Sequence, residues 1–369
     1  MFRLGVFILP FLLLLVTEAE AEVFFTRNYL SGVTLGAGEV EVTGEALLMN
    51  DSVDLLNLRA SRLSDSQDPG TGDLEGGRLM LSYGLSDQLL LVGGYTYREL
   101  SAPPIGDVGI GSYHLSLVRR IPLRHYSARH ESYIYVAIGG SYDQCEDYRM
   151  TSAADIDFLV KRVDPDYSVT SAPGRIDISN GELTLSSPLL SSDGTLKPEL
   201  AVGLQDSSDQ TVFFRAGIGR RWDRFNAALF AEVGRQWTDG ALDHNFSLYG
   251  VDDDDLPSGF DPDLSNQENY AQTGIDLYYE TRFGVAAHLG YAYLWLDRDD
   301  DSGGVNDNHV LKADLSFRFN HYLAWTLGGE YYRHQFNGVI PLLYNRYTAS
   351  TFDRDYGLIH TGLTVKFGH

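Results

Sequence analysis

Leu311-Lys312-Ala313-Asp314-Leu315-Ser316-Phe317-Arg318-Phe319 alternates apolar and polar residues without a break. Successive side chains of a β-strand point to opposite faces, so Leu311, Ala313, Leu315, Phe317 and Phe319 share one face. Lys312, Asp314, Ser316 and Arg318 share the other. A helix would scatter both sets around its circumference. The same reading applies upstream and downstream. Val285, Ala287, Leu289, Tyr291, Tyr293 and Trp295 oppose Ala286, His288, Gly290 and Ala292. Ile275, Leu277 and Tyr279 oppose Asp276 and Glu280, and Leu323, Trp325, Leu327 and Tyr331 oppose Ala324, Thr326, Gly328, Glu330 and Tyr332. Ile359, Leu363, Val365 and Phe367 oppose His360, Gly362, Thr364 and Lys366.

Working outward, alternation recurs around 39–48, 77–85, 88–99, 110–121, 132–142, 198–206, 210–221 and 225–237, making 13 readable strands. Segments of about ten residues, tilted by ~45°, fit the thickness of a bilayer. Tyr95, Tyr97, Trp237, Tyr291 to Trp295, Tyr331 and Tyr332 gather toward strand ends, as an interfacial aromatic girdle does. Short turns at 86–87, 221–224, 281–283 and 320–321 mostly take turns with long polar connections at 49–75, 143–197, 238–268, 297–309 and 335–353. The expected fold is an all-β, transmembrane, antiparallel up-and-down barrel. With both ends on one side the strand number is even. A strand hidden in 150–195 (Ile156 to Val163, or Ile176, Ile178, Leu183 and Leu185) gives 14, the preferred count. If 198–206 instead belongs to an outside loop the count is 12.

The chain has 369 residues, 28 Lys+Arg, 51 Asp+Glu and a formal charge of −23. That balance excludes a nucleic-acid partner, since phosphates need a basic surface. One cysteine, Cys145, excludes an intramolecular disulfide framework. Arg3, the apolar run Leu4 to Val16 and Ala19-Glu20-Ala21 read as a signal peptide over 1–21. Residues 22–38 are then a periplasmic lead, a plug segment or an extra strand, and 39–369 the barrel.

The acidic excess sits in the long connections. Asp252, Asp253, Asp254 and Asp255 lie in 238–268, and Asp297, Asp299 and Asp301 in 297–309. Such loops would concentrate cations or hold divalent ions, or serve as solvated cover. Asp297, Asp299 and Asp301 have calcium-loop spacing. Ser302 replaces the turn glycine, however, and Asn308 the bidentate glutamate. No resident cofactor is expected; the one candidate is a divalent cation at the acidic loops.

With the apolar faces outward, the bore receives His114, Arg120, Arg215, Glu232, Asp276, Glu280, Arg282, His288, Lys312, Asp314, Arg318, Glu330, His334, His360 and Lys366. Interleaved signs suit a channel that orients a polar solute, or an ion-pair ladder that stiffens the wall. Gly94, Gly139, Gly217, Gly274, Gly290, Gly328 and Gly362 share that face, which favours room inside.

Leu363-x-Val365-x-Phe367, with Tyr356 and Gly357 upstream, resembles the terminal-strand signal of Gram-negative outer-membrane β-barrel proteins. The resemblance implies export to the outer membrane, contact with its lipids and recognition of Leu363, Val365 and Phe367 by the barrel-assembly machinery. It departs from the pattern in that Gly368-His369 follows the aromatic. His114 and Ser116 resemble the His-x-Ser pair of some outer-membrane lipid hydrolases, but Leu117 follows where those carry an asparagine, and the register points His114 inward. The expected function is an outer-membrane diffusion channel or solute-selective porin with some cation preference, its partner a small polar or cationic solute. The alternatives are a non-conducting surface barrel with adhesive or structural acidic loops, and a lipid hydrolase.

Overall fold

The computed structural model describes residues 35–49, 73–102, 106–127, 130–150, 168–171, 177–179, 182–185, 202–243, 263–298, 305–334, 336–344 and 355–368. In chain order come β1 (Val40–Met49), β2 (Asp73–Ser86), β3 (Leu89–Ala102), β4 (Gly106–Ser127) and β5 (His130–Cys145). Four short strands follow: β6 (Tyr148–Met150), β7 (Ser168–Ser171), β8 (Asp177–Ser179) and β9 (Glu182–Leu185). The chain then forms β10 (Val202–Trp222), β11 (Phe225–Asp243), β12 (Asn266–Glu280) and β13 (Val285–Arg298). It ends with β14 (Asp307–Arg318), β15 (Leu323–Tyr332) and β16 (Tyr356–Phe367).

The 12 long strands pair antiparallel, each with its neighbours in sequence, with β5 beside β10. β16 returns to β1, from Val40↔Phe367 to Leu48↔Ile359, and closes the barrel. Closure leaves no edge with unpaired backbone groups, the condition for a sheet to span lipid. The count is therefore 12, not the preferred 14. The expected strand at 198–206 is not separate: residues 202–206 are the outer part of β10. Ile178 lies in β8 and Leu183 and Leu185 in β9, the central strand that pairs with β7 and β8 in a separate three-stranded sheet, while Ile176 lies outside the described residues. Residues 156–163 lie outside the described residues.

Local chemistry explains the short-turn end. Asp223 turns β10 into β11 with φ 49, a left-handed conformation that aspartate tolerates. The Asn320 carboxamide oxygen accepts the N–H groups of Tyr322 (2.8 Å) and Leu323 (2.9 Å) and tightens the β14–β15 turn. Pro122 cannot donate to a ladder, and the β4–β5 register shifts between Pro122 and Arg124.

Outward positions carry Leu79, Leu81, Leu115, Ile138, Phe214, Ile218, Leu229, Val233, Leu289 and Leu315, all exposed. In water so much exposed apolar area would be costly; against acyl chains it is matched. Trp222, Phe225, Phe283, Phe319 and Tyr322 rim this belt at the short-turn end, with Tyr95, Tyr113, Tyr291 and Trp295 toward the other. Leu363 and Phe367 also face out, at 51% and 54% exposure, beside β1.

Several strands run further than their sequence pattern indicated. β4, β5, β10 and β11 extend to Ser127, Cys145, Val202 and Asp243. Asp143, assigned above to a loop, thus sits on the inward face of β5 and is buried.

Candidate functional site

Inward positions of the wall carry charge at every level. Near the short-turn end Arg120 pairs with Glu131 at 2.6 Å, its guanidinium 4.3 Å from the Tyr133 ring centroid. Arg318 pairs with Glu280, and Lys366 with Glu39 at 3.0 Å. Leu35 is buried there among the inward residues Leu90, Val92, Val118 and Ala137. The part of segment 22–38 that is described therefore enters the barrel mouth; residues 22–34 lie outside the described residues.

Midway, Glu232 accepts from Arg215 Nε (2.6 Å) and from the Tyr270 hydroxyl (2.9 Å). Lys312 pairs with Glu330 at 3.2 Å, and Arg78 approaches Glu45 (3.5 Å) and Glu330 (3.8 Å). A chain of alternating carboxylates and imidazoles crosses the wall from β12 to β16. Asp276 Oδ1 lies 3.1 Å from His288 Nε2, His288 Nδ1 3.0 Å from Asp314 Oδ2, and Asp314 Oδ1 2.6 Å from His360 Nε2. The last contact passes over β15, where a Cβ on Gly328 would overlap both Asp314 and His360. Gly328→Val should therefore break the Asp314–His360 contact and destabilise the barrel by about 1–3 kcal/mol, the usual range for overpacking. Equilibrium unfolding in urea from phospholipid vesicles measures it, and an unchanged midpoint would count against the contact.

Toward the long-loop end the polar partners are Arg98 with Ser112 and Asp143, and Arg298 with Glu268 (2.8 Å) and Asn337. Between them the bore turns apolar. Leu47, Leu74, Leu100, Ile110, Tyr356 and Leu358 face inward, all buried. Residues 336–344, which follow β15, fold back into this ring. Phe336, Ile340, Leu342 and Leu343 are buried against it, and Pro341–Leu343 forms one 3-10 turn reaching β10 and β11. The backbone N–H of Leu342 donates to Asp209 Oδ2 at 2.8 Å.

Glycine does not leave the expected open space. The Tyr135 ring covers Gly217, Tyr133 covers Gly219 and Phe230 covers Gly274. Most inward polar side chains are buried, including Glu41, Glu45, Glu232, Glu280, His360 and Lys366. Water nevertheless reaches the middle: the side chains of Lys312, Arg78 and Asp276 are 46%, 25% and 19% exposed on the inward face.

The inward set expected from sequence is thus brought together at Arg120, Glu232, Asp276, Glu280, His288, Lys312, Asp314, Arg318, Glu330, His360 and Lys366. Two residues depart from it. Arg282 is exposed in the β12–β13 turn, because β12 ends at Glu280. His334 lies beyond β15, where its backbone N–H donates to Asn308 Oδ1 at 3.2 Å. Asp297 is exposed on the outward side of the end of β13; Asp252 to Asp255, Asp299 and Asp301 lie outside the described residues. Sequence reading missed Glu41, Glu45, Arg78, Arg98, Asp143, Asp209, Glu268 and Arg298. Parity was the available signal for Glu41 and Glu45, because Val40 and Val42 flank Glu41 and face out.

His114 Nε2 lies 3.2 Å from Ser116 Oγ, and the Phe213 ring stacks on His114 with centroids 6.1 Å apart. Both residues are on the inward face of β4, away from the lipid side. Among the described residues no group of three or more His, Cys, Asp or Glu is arranged to hold a metal ion.

A closed antiparallel barrel, apolar outside and charged within, is the architecture of a β-barrel that spans lipid. Among solved structures the chain is similar to the translocator domain of the autotransporter NalP from Neisseria meningitidis, at 8% identity over 91% of this chain and 90% of that one, with TM-score 0.39. It is also similar to the toluene transporter TodX of P. putida (7% identity, 90% and 91% covered, TM-score 0.39). Outer membrane phospholipase A from Escherichia coli matches at 10% identity, 92% and 96% coverage and TM-score 0.31. No protein-family model and no curated protein sequence matches this chain.

Proposed function

We propose that this protein is an outer-membrane channel for a small solute, resting closed. The observation that carries the reading is the water-reached space in mid-bore around Lys312, Arg78 and Asp276. It lies between two stoppers of the chain itself. Residues 336–344 fill the outer mouth, and Leu35 with the pairs Lys366–Glu39 and Arg318–Glu280 narrows the inner one. The acidic excess of the long connections motivates cation preference, because a negatively charged entrance raises the local concentration of cations.

Planar-bilayer recording tests this. The intact chain should conduct weakly, and replacing 336–344 by a Gly-Ser segment of equal length should raise single-channel conductance several-fold. Under a KCl gradient the reversal potential should have the sign of cation selectivity; the opposite sign removes the cation preference. A barrel so altered that folds and still fails to conduct would remove the channel itself. The reading left would be a non-conducting barrel, which the burial of most inward ion pairs favours. A hydrolase would instead show fatty-acid release lost on Ser116→Ala; no such loss is expected.

A further inference from the structure

The mid-bore charges are presented unevenly. Glu330 of β15 and Glu45 of β1 are sunk in the wall, with side chains 6% and 0% exposed. Lys312 of β14 and Arg78 of β2 stand over them, 46% and 25% exposed to the bore. Lys312 lies opposite Glu330 in the strand register, and Arg78 opposite Glu45. Both cations meet over one carboxylate: Lys312 Nζ is 3.2 Å from Glu330 Oε2, and Arg78 Nη1 is 3.8 Å from Oε1. The Tyr332 hydroxyl donates to the same carboxylate.

An ammonium carries three N–H groups. One of those on Lys312 faces Glu330, and the rest face the water that reaches nearly half of its side chain. Gly290 lies beside Lys312 on β13 and Gly362 beside Glu45 on β16, so no side chain from those positions covers the pair. The other acids of this level are turned to imidazoles. Asp314 has one oxygen on His288 Nδ1 (3.0 Å) and one on His360 Nε2 (2.6 Å), and Asp276, two strands from Lys312, has Oδ1 on His288 Nε2 (3.1 Å). A solute in mid-bore therefore meets N–H donors first and carboxylates behind them. Coulomb attraction falls with distance, so at the bore surface the nearer cations outweigh the sunken acids. The acids also hold both cations in place, which lowers the ordering cost of binding.

We propose that Lys312 and Arg78 form an oxyanion-binding site in mid-bore, which takes the carboxylate or phosphate group of a small solute on the side facing away from Glu330. This goes beyond the channel reading and does not depend on it. It also fits the cation preference: two exposed cations in mid-bore oppose the passage of other cations, and a bound oxyanion cancels that charge.

The test reads Lys312 itself in the full chain folded in lipid vesicles. Lysines are methylated with formaldehyde and cyanoborohydride, small reagents that enter the bore, and the rate at each lysine is followed by peptide mass spectrometry. Inorganic phosphate or acetate, as tetramethylammonium salts, should slow Lys312 several-fold and saturably. Tetramethylammonium chloride at equal ionic strength should not. Lys366, paired with Glu39 near the inner mouth, should be unaffected by any of them. Arg78→Gln should raise the half-protecting concentration about tenfold, as loss of one charge-assisted hydrogen bond does. Arg78→Lys, which keeps the charge, should stay much closer to the parent, with both variants folded by gel mobility. Protection by phosphate alone assigns a phosphate-bearing solute, and equal protection by acetate a carboxylate. The same titration on the barrel with 336–344 replaced gives the ions open access. No protection in either barrel, equal protection by the chloride salt, or equal slowing of Lys366 overturns the proposal. Conductance plays no part in this readout, so a silent barrel removes the channel and leaves the site standing.

Discussion

Leu229→Arg should destabilise the folded barrel by about 2–4 kcal/mol, the cost of a charge at mid-bilayer on the lipid face of such a wall. Leu229 lies on β11, 56% exposed, level with Ile218 of β10 and Ile275 of β12. Ala227, Ala231 and Val233 continue the same outward row between Phe225 and Trp237. Gln210→Arg is the control: Gln210 is exposed on the outward row of β10 beyond Val212, where the cost falls to about 0–1 kcal/mol near the interface. Urea titration of folding into phospholipid vesicles measures both. On a water-facing surface the two substitutions would each fall within about 0.5 kcal/mol of zero. Equal, small effects would therefore remove the lipid-facing belt from the description.

Glu232→Ala should cost about 3–5 kcal/mol, because it strands a buried guanidinium. Arg215 and Glu232 face each other on adjacent strands, side chains 9% and 7% exposed, and the carboxylate also takes the Tyr270 hydroxyl. Arg215 lies 4.1 Å from the centroid of the Phe230 ring, so it has no short route to water. By contrast, the exposed Arg224–Asp223 pair at 3.9 Å belongs to the class worth about 0–1 kcal/mol. The double change Arg215→Met with Glu232→Leu should recover most of the loss, since a packed apolar pair replaces a buried ion pair at little cost. The same titration checks it. A single-mutant cost near that of the exposed pair, with no recovery in the double, would show that the two charges are solvated independently.

Amino-acid alternation was enough for the wall. Leu311 to Phe319, Val285 to Trp295 and Ile359 to Phe367 carry their facing in their own parity, because a strand side chain's direction is a local property of the backbone. The inward charges of β12 to β16 followed from the same rule. Strand ends were harder to read. Asp143, Glu268 and Arg298 look like loop residues one at a time, and they enter the barrel through partners on other strands. Arg98 lies opposite Asp143, and Asn337 beside Arg298. Residues 198–206 read as a strand and are partly one, but they extend β10 rather than add a thirteenth.

What the sequence determined by itself is a lipid-facing, charge-lined cylinder with its acid gathered in long connections. Whether that cylinder is open was decided only in three dimensions. Gly217 and Gly274 promise space until Tyr135 of the neighbouring β5 and Phe230 of β11 lie across them. Phe336 to Tyr344 read as part of a polar connection until they fold back among Leu47, Leu100 and Leu358. Parity along one strand says which way a side chain points. What fills the volume it points into depends on residues far away in the chain, brought there by closure of the wall.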